Sequence, residues 1–333
     1  MGLNATIRLR IQDLSGVGPA RRAAERLARE AQLDETRIGR ASILVSELAT
    51  NIARHAAGRG SLALRASPGL LTVAAWDAGP GIADLARAAR DGFSTGGTAG
   101  TGLGAVGRLS DVVDVTSTPG AGTVITAWLG HRPADAPDVD GLALPIDDDG
   151  PCGDAFATRV DDGVMTILLA DGLGHGPSAA EASDDAVASL LTGPRRDPAE
   201  VLADAHAALR HTRGAAVSVA CLDPVRGEVR FAGVGNVAGV VCGAGGARAM
   251  AAHNGIVGHQ ARRLQQFTYP LGARDLVVLH SDGVRGAWGL DAHPGLMRRE
   301  ALTIAATIIR DAERGRDDVS VVVARPGPRG AVA

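Results

Sequence analysis

The chain has 333 residues, 45% hydrophobic and 21% charged, with a formal net charge of -3. That length favours two domains over a single core, and the charge leaves no basic footprint for nucleic acid. Every Lys/Arg position is Arg, and the absence of Lys excludes a Walker A phosphate loop, Schiff-base chemistry and a catalytic lysine.

In chain order, residues 5–11 alternate weakly and predict a first strand. A helix follows over 17–31, with Pro19 near its start. A second helix begins at Asp34 and runs to His55. On it Leu44, Leu48 and Ile52 form one stripe, and Glu47, Asn51 and His55 form a second at i, i+4 spacing. Alone, the polar stripe reads as an ordinary solvated face. Residues 62–65 and 70–75 predict a hairpin whose second strand delivers Asp77 to a turn containing Gly79 and Gly81. A Gly/Thr/Ser-rich stretch over 92–104 leads into a helix at 105–109. Strands at 112–117 and 123–129 flank a Pro-Gly-Ala-Gly turn.

The run Gly102-Leu103-Gly104-Ala105-Val106-Gly107 matches G-x-G-x-x-G. Its context excludes a dinucleotide site, because no strand precedes it and no acidic residue lies about 20 residues beyond. Glycines entering a helix still make a phosphate site, with N–H groups and the positive dipole end.

Glu47-x-x-x-Asn51, Asp77-x-Gly79-x-Gly81 and Gly100-Thr101-Gly102-Leu103-Gly104, followed by Gly122-Thr123, resemble the N, G1 and G2 boxes of the GHKL ATPase family. The likeness is to its serine-protein kinases and anti-sigma factors of the RsbT/RsbW/SpoIIAB type. It implies a two-layer α/β sandwich holding ATP with Mg²⁺. By that resemblance Asn51 binds the Mg²⁺ and Glu47 is the general base. Asp77 accepts from the adenine amino group, with Gly79 and Gly81 shaping its turn. Gly100, Gly102, Leu103 and Gly104 serve the phosphates, and Thr123 supports the adenine end. A domain that binds ATP only to sense it, or to dock an anti-sigma partner, would carry the same residues apart from the need for Glu47.

Residues 131–138 are rich in Pro and Asp, and the domain division reads 1–132, a linker at 133–139, 140–325, and a disordered tail at 326–333. In the second half, 141–146 predicts an edge strand. The acidic run 147–149 reads as a solvated turn. An apolar strand over 164–170 ends at Asp171-Gly172-Leu173-Gly174-His175-Gly176. Helices are predicted from Pro177 to Leu191 and from Asp197 to about His211, the latter with Asp197, Pro198 and Glu200 in capping-box positions. Strands at 216–222, 228–233, 237–241 and 248–251 come in quick succession, with Gly233-Val234-Gly235-Asn236 as turn chemistry. A buried strand over 275–280 meets Asp282, a helix spans 298–310, and Asp317-Asp318 opens a last strand at 319–323.

One strand-end Asp is usually a turn residue or cap. Three of them, each adjoining an apolar strand, point to a shared carboxylate cluster. Such a cluster needs a counterion, and all-oxygen ligation suits Mg²⁺ or Mn²⁺ rather than zinc.

Gly153-Asp154, Asp171 to Gly176, Ser281-Asp282-Gly283 and Asp317-Asp318-x-Ser320 resemble the motifs of the SpoIIE/RsbU/RsbX group of protein phosphatase 2C-like serine/threonine phosphatases. Cys152 stands where that group usually has a first Gly. The resemblance implies an αββα sandwich, and so an α+β chain of two domains, with two Mn²⁺ or Mg²⁺ ions. By it Asp171 bridges the ions, Gly172 gives its carbonyl, Asp282 and Asp317 hold one ion, and Asp154 binds the other. Asp318 is the lesser choice of its pair. The natural substrate is then a phosphorylated STAS-domain antagonist in a partner-switching circuit, with a sigma factor, a stressosome complex or a second copy of the chain as further partners.

The three cysteines, Cys152, Cys221 and Cys242, form no CxxC pair. No signal-peptide order opens the sequence, and no apolar run nears the roughly 20 residues of a membrane span. The expectation is a cytoplasmic regulator that enters no membrane and binds no nucleic acid.

Overall fold

The structure is a computed structural model that describes residues 6–88, 102–133, 135–148, 150–194, 196–261 and 263–328. The chain separates into two compact units. The first comprises Ala5–Pro133 and Leu290–Arg310; the second is built from Ala134–Gly289 and Asp311–Ala333.

In the first unit the elements run β1 (Thr6–Ile11), α1 (Val17–Glu30), α2 (Glu35–His55), β2 (Gly60–Ser67), β3 (Leu70–Asp77), α3 (Leu85–Ala88), α4 (Leu103–Leu109), β4 (Val112–Thr118) and β5 (Gly122–Gly130). The strands form one antiparallel sheet, ordered β1-β2-β3-β5-β4. Strand alternation sorts the residues: Leu71, Val73, Ala75, Ala127 and Leu129 join the core shared with α1, α2 and α4. Asp34 starts α2 by accepting from the Arg37 N–H at 2.8 Å, the capping its sequence predicts. Leu44 and Leu48, buried on the apolar stripe of α2, each contribute about 1.5–3 kcal/mol through burial.

In the second unit follow β6 (Pro137–Leu144), β7 (Asp154–Asp161), β8 (Val164–Gly172), α5 (Pro177–Thr192), α6 (Pro198–Ala208), β9 (Ala215–Asp223), β10 (Glu228–Val234), β11 (Ala238–Gly243), β12 (Gly246–Met250), β13 (Phe267–Pro270) and β14 (Leu276–His280). Then come α7 (Ala301–Ala312), all but its last two residues in the first unit, and β15 (Val319–Pro328). Two antiparallel sheets form, β13-β10-β9-β8-β7 and β12-β11-β14-β15-β6. Phe156, Ile167, Leu169, Phe231, Val277, Leu279 and Val322 make the core between them. Leu168, Ala170, Val217 and Val219 point the other way, against Ala182, Ala186, Leu190, Leu202 and Ala205 of α5 and α6. The α+β class and the sandwich expected for each half are both present.

Several boundaries differ from the sequence reading. Strand β6 starts at Pro137, inside the expected linker, because residues 139–144 pair along β15. Strand β15 runs through Pro328, past the expected start of the tail at 326, and Arg325 anchors it by an ion pair of 2.7 Å to buried Asp138. Residues 329–333 lie outside the described residues. Strands β7 and β13 were not anticipated. Finally, Leu290–Arg310 belongs to the first unit, although it follows most of the second in sequence.

Candidate functional site

The polar stripe of α2 sits beside its buried one. Glu47 and Asn51 are half-buried, between the buried Leu44, Leu48 and Ile52 positions, and His55 is exposed. At the end of β3, Asp77 Oδ1 accepts from the Gly79 N–H at 2.7 Å, so the carboxylate shapes its own turn. Gly81 has φ +72, and a Cβ there would overlap the Thr118 carbonyl; only glycine fits that turn. Thr123 pairs with Asp77 across the sheet, and its hydroxyl bonds Ser117 Oγ at 2.9 Å. Gly102 is the N-cap of α4 and brings no side chain to cap it, and Leu103 and Gly104 form the first turn. Arg40 ties α4 to α2 by donating to the Leu109 carbonyl at 3.0 Å. Gly100 and the rest of 89–101 lie outside the described residues.

Burial pushes the Asp77 carboxyl above its ordinary value, offset by the Gly79 N–H and then by Arg310, the Thr123 N–H and His55. An adenine amino group needs the ionised carboxylate as acceptor. If Asp77 takes that role, as the resemblance implies, nucleotide affinity should weaken on acidification at a pH above the ordinary carboxylate range. In the nucleotide-free chain the sign is opposite: stability from the raised carboxyl is present at low pH and lost as pH rises through its folded pKa. Calorimetry with ADP should show Asp77→Asn binding about 10–100-fold more weakly, the loss of one hydrogen bond to a charged group. Its residual affinity should vary less with acid. An unchanged affinity would remove Asp77 from the site.

The second unit gathers the other carboxylates. Strands β7 and β8 pair Asp154 directly opposite Asp171. Asp282 follows β14, and Asp317 precedes β15. Burial raises both paired carboxyls. For Asp154 the Ser281 and Ser320 hydroxyls offset the effect in part, and Asp318 and Asp317 add to it. For Asp171 the neighbours Asp154, Asp282, Asp317 and Asp318 all push in the same direction. Four other carboxylates thus act on Asp171 in the same direction.

The remaining partners define who is available. Asp154 is 4% exposed, and its Oδ2 accepts no hydrogen bond. Asn236 Nδ2 donates to Asp282 Oδ2 at 2.5 Å. Asp318 is committed to the backbone, accepting from the Ile146 and Gly153 N–H groups at 2.7 and 2.6 Å. Asp317 carries no such load; its Oδ1 accepts only from the next N–H, at 2.9 Å, among the bonds resolved. Gly172 donates to the Gly153 carbonyl at 2.9 Å, and a Cβ on it would overlap Ala179. Arg213 donates to the Leu173 carbonyl at 3.1 Å and steadies the glycine loop.

Among the described residues, no three His, Cys, Asp or Glu side chains stand close enough to make a ready cage for a metal ion. The donor set nevertheless fits a hard divalent cation: it is all oxygen, mutually destabilised, and includes a buried oxygen with no partner. A chelated sample therefore yields a prediction. Asp154→Asn should raise its melting temperature by roughly 2–5 °C, because an uncompensated buried carboxyl is removed. The same variant should show a smaller rise on adding Mn²⁺. Scanning calorimetry with and without Mn²⁺ checks both, and a variant that gains as much from Mn²⁺ as the wild type would exclude Asp154.

The structure thus brings Glu47, Asn51, Asp77, Gly79, Gly81, Gly102, Leu103, Gly104 and Thr123 into the first unit, and Asp154, Asp171, Gly172, Asp282 and Asp317 into the second. Asn236 was missed, because a Gly-Asn pair reads as turn chemistry; nothing in the sequence ties it to Asp282.

The family described as histidine kinase-like ATPase domain matches residues 12–128. Stage II sporulation protein E (SpoIIE) matches residues 161–326. The serine/threonine-protein kinase RsbT of Bacillus subtilis (strain 168) is 38% identical over 117 residues, 33% of this chain and 86% of that protein. A solved structure from work on the bacterial stressosome, a modular system adapted to control secondary messenger signalling, is 31% identical. It covers 56% of this chain and 98% of that one, with a TM-score of 0.51. RsbX in complex with magnesium is 19% identical over 56% of this chain and 94% of that one, with a TM-score of 0.47.

Proposed function

Because the chain belongs to the RsbT-related histidine kinase-like ATPases and joins a SpoIIE domain to that one, we propose that it is a metal-dependent protein-serine/threonine phosphatase with an ATP-binding serine-kinase domain. Its setting is a bacterial partner-switching circuit. The observation that carries the phosphatase reading is Asp154 paired opposite Asp171, with one buried Asp154 oxygen unpartnered. The working division is a kinase-like domain over 1–132 and a phosphatase domain over 140–325.

On the phosphatase side, Asp154, Asp171, the Gly172 carbonyl, Asp282 and Asp317 would hold two Mn²⁺ or Mg²⁺ ions. Such ions supply an activated water and neutralise phosphoryl charge. The chain's own residues do the positioning. Asn236 fixes one oxygen of Asp282, which leaves the other for the centre. Asp318 locks the loops carrying Ile146 and Gly153, so the turn into Asp154 is held from below.

On the kinase side, Asp77 would select adenine, Asn51 would hold Mg²⁺, and the first turn of α4 would offer N–H groups to phosphate. Glu47, one helical turn before Asn51, would take the proton of the attacking serine hydroxyl. Transfer of this kind rests on positioning and charge neutralisation. The substrate class is a serine or threonine of a small STAS-domain antagonist, phosphorylated by one half and dephosphorylated by the other.

The test is to incubate the full chain with γ-labelled ATP·Mg²⁺ and a STAS-domain protein, then add Mn²⁺. Label should enter the protein and then leave as inorganic phosphate. Failure to release phosphate from a pre-phosphorylated STAS protein with Mn²⁺ or Mg²⁺ would overturn the phosphatase reading.

A further inference from the structure

Residues Leu290–Arg310 belong to the first unit, yet they lie between Asp282 and Asp317, two carboxylates of the second. Their attachment is chemical as well as spatial. Asp114 of β4 accepts from the Glu300 N–H at 2.9 Å, the Thr303 hydroxyl at 2.8 Å and Arg299 at 3.1 Å. It therefore caps the start of α7 from the sheet. The Thr126 and Thr303 hydroxyls meet at 2.7 Å, and both residues are fully buried. Arg132 lies 3.8 Å over the Trp128 ring and pairs with Glu300 at 2.8 Å.

The same segment also reaches the turns beside Asp77. His293 Nδ1 lies 2.9 Å from the Thr118 hydroxyl, and its Nε2 lies 3.3 Å from an Arg310 nitrogen. Arginine can only donate, so Nε2 accepts and Nδ1 carries the proton toward Thr118. Thr118 leads into the turn whose Gly120 N–H donates to the Pro80 carbonyl at 2.8 Å. The Arg310 guanidinium also stands near enough to Asp77 to draw its carboxyl down. One polar chain thus runs from Arg310 through His293 and Thr118 to the loop over the adenine end.

At its other side the segment is short-tethered to the metal residues. Seven residues, 283–289, separate it from Asp282, and six, 311–316, separate it from Asp317. Those two stretches are laced together. Arg314 N–H donates to the Gly283 carbonyl and Arg285 N–H to the Ala312 carbonyl, both at 2.8 Å, around a Val284–Glu313 bridge. The chain on either side of the segment thus leads into a hydrogen-bonded neck adjoining Asp282.

We propose that residues 290–310 couple the nucleotide site to the phosphatase centre, with His293 and Arg310 as positioning residues of the nucleotide turns. The inference rests on the two site assignments made above. A ligand that favours one arrangement of the Asp77 and Thr118 turns biases this segment, and the segment carries both neighbours of the metal centre. Coupling of this kind is reciprocal: Mn²⁺ must change nucleotide affinity by the factor by which nucleotide changes Mn²⁺ affinity.

The experiment uses the full chain, para-nitrophenyl phosphate as substrate, ADP as nucleotide and free Mn²⁺ held by a metal buffer. ADP should shift the Mn²⁺ concentration for half-maximal hydrolysis by about fivefold or more, and Mn²⁺ should shift the ADP dissociation constant equally. In His293→Ala and Arg310→Ala both factors should fall toward one. Each variant is compared with itself, with and without ADP, so differences in folding or basal rate cancel. Thr303→Val, which keeps the shape and deletes the hydroxyl tie to Asp114 and Thr126, gives a third reading. Bound ADP with factors of one in the wild type overturns the coupling alone. Absence of ADP binding overturns the nucleotide assignment and the coupling with it.

Discussion

Asp171→Asn is expected to lower Mn²⁺-dependent phosphomonoester hydrolysis by about 10³-fold or more, equivalent to several kcal/mol of lost charge stabilisation. The magnitude follows from its place. Asp154, Asp282, Asp317 and Asp318 all push its carboxyl upward, and strand pairing sets it directly opposite Asp154. Asn keeps the shape and the strand pairing opposite Asp154, so the metal-free fold should survive, which its melting temperature checks. Asn236→Ala is the graded comparison. It frees one oxygen of Asp282 without removing a ligand, and should cost about 10–100-fold in Mn²⁺ affinity. Steady-state hydrolysis against free Mn²⁺ separates the two: Asp171→Asn loses the plateau, and Asn236→Ala shifts the midpoint. Full activity in Asp171→Asn would remove it as the bridging ligand.

The placement of the candidate residues on their elements was legible because it is written in simple periods. The i, i+4 spacing of Glu47 and Asn51 beside Leu44, Leu48 and Ile52 fixes the half-buried face of α2 on which they lie. Apolar strands ending in Asp77, Asp171 and Asp282 announce themselves by composition. Strand β7 was less visible. Its sequence, DAFATRVD, alternates only weakly, and the Pro-Cys-Gly ahead of it reads as loop; yet it is the strand that sets Asp154 against Asp171. The choice between Asp317 and Asp318 depends on backbone partners that no spacing encodes, since Asp318 is taken by Ile146 and Gly153.

The place of residues 290–310 was hidden for a different reason. Sequence order assigns them to the second half, whereas their anchors lie on β4 and β5. A hint was present. Val113, Val115 and Ala127 face the helices, which turns Asp114 and Thr126 to the other face of the sheet. A carboxylate and a buried hydroxyl there require partners, and Thr303 and the Glu300 N–H supply them.

Glu47→Ala is expected to reduce transfer of label from ATP to a STAS-domain protein by about 10²–10⁴-fold, the usual contribution of a positioned general base. ADP affinity should stay within about twofold, because the role proposed for Glu47 is proton removal and not holding the nucleotide. The stripe makes the contrast sharp. Asn51 lies one turn further along the same face of α2, and Asn51→Ala should lose Mg²⁺-dependent nucleotide affinity along with transfer. A helix damaged by either substitution would be exposed by a fall in melting temperature, which neither half-buried position should produce beyond about 1 kcal/mol. Labelled transfer and calorimetry on the same two variants then divide chemistry from binding. Transfer undiminished in Glu47→Ala would remove the base. A wild-type chain that binds ADP tightly but labels no STAS protein would make the first unit a nucleotide-responsive module. In that case the coupling proposed for residues 290–310, the segment that joins Arg310 to the neck beside Asp282, would be the first effect to measure.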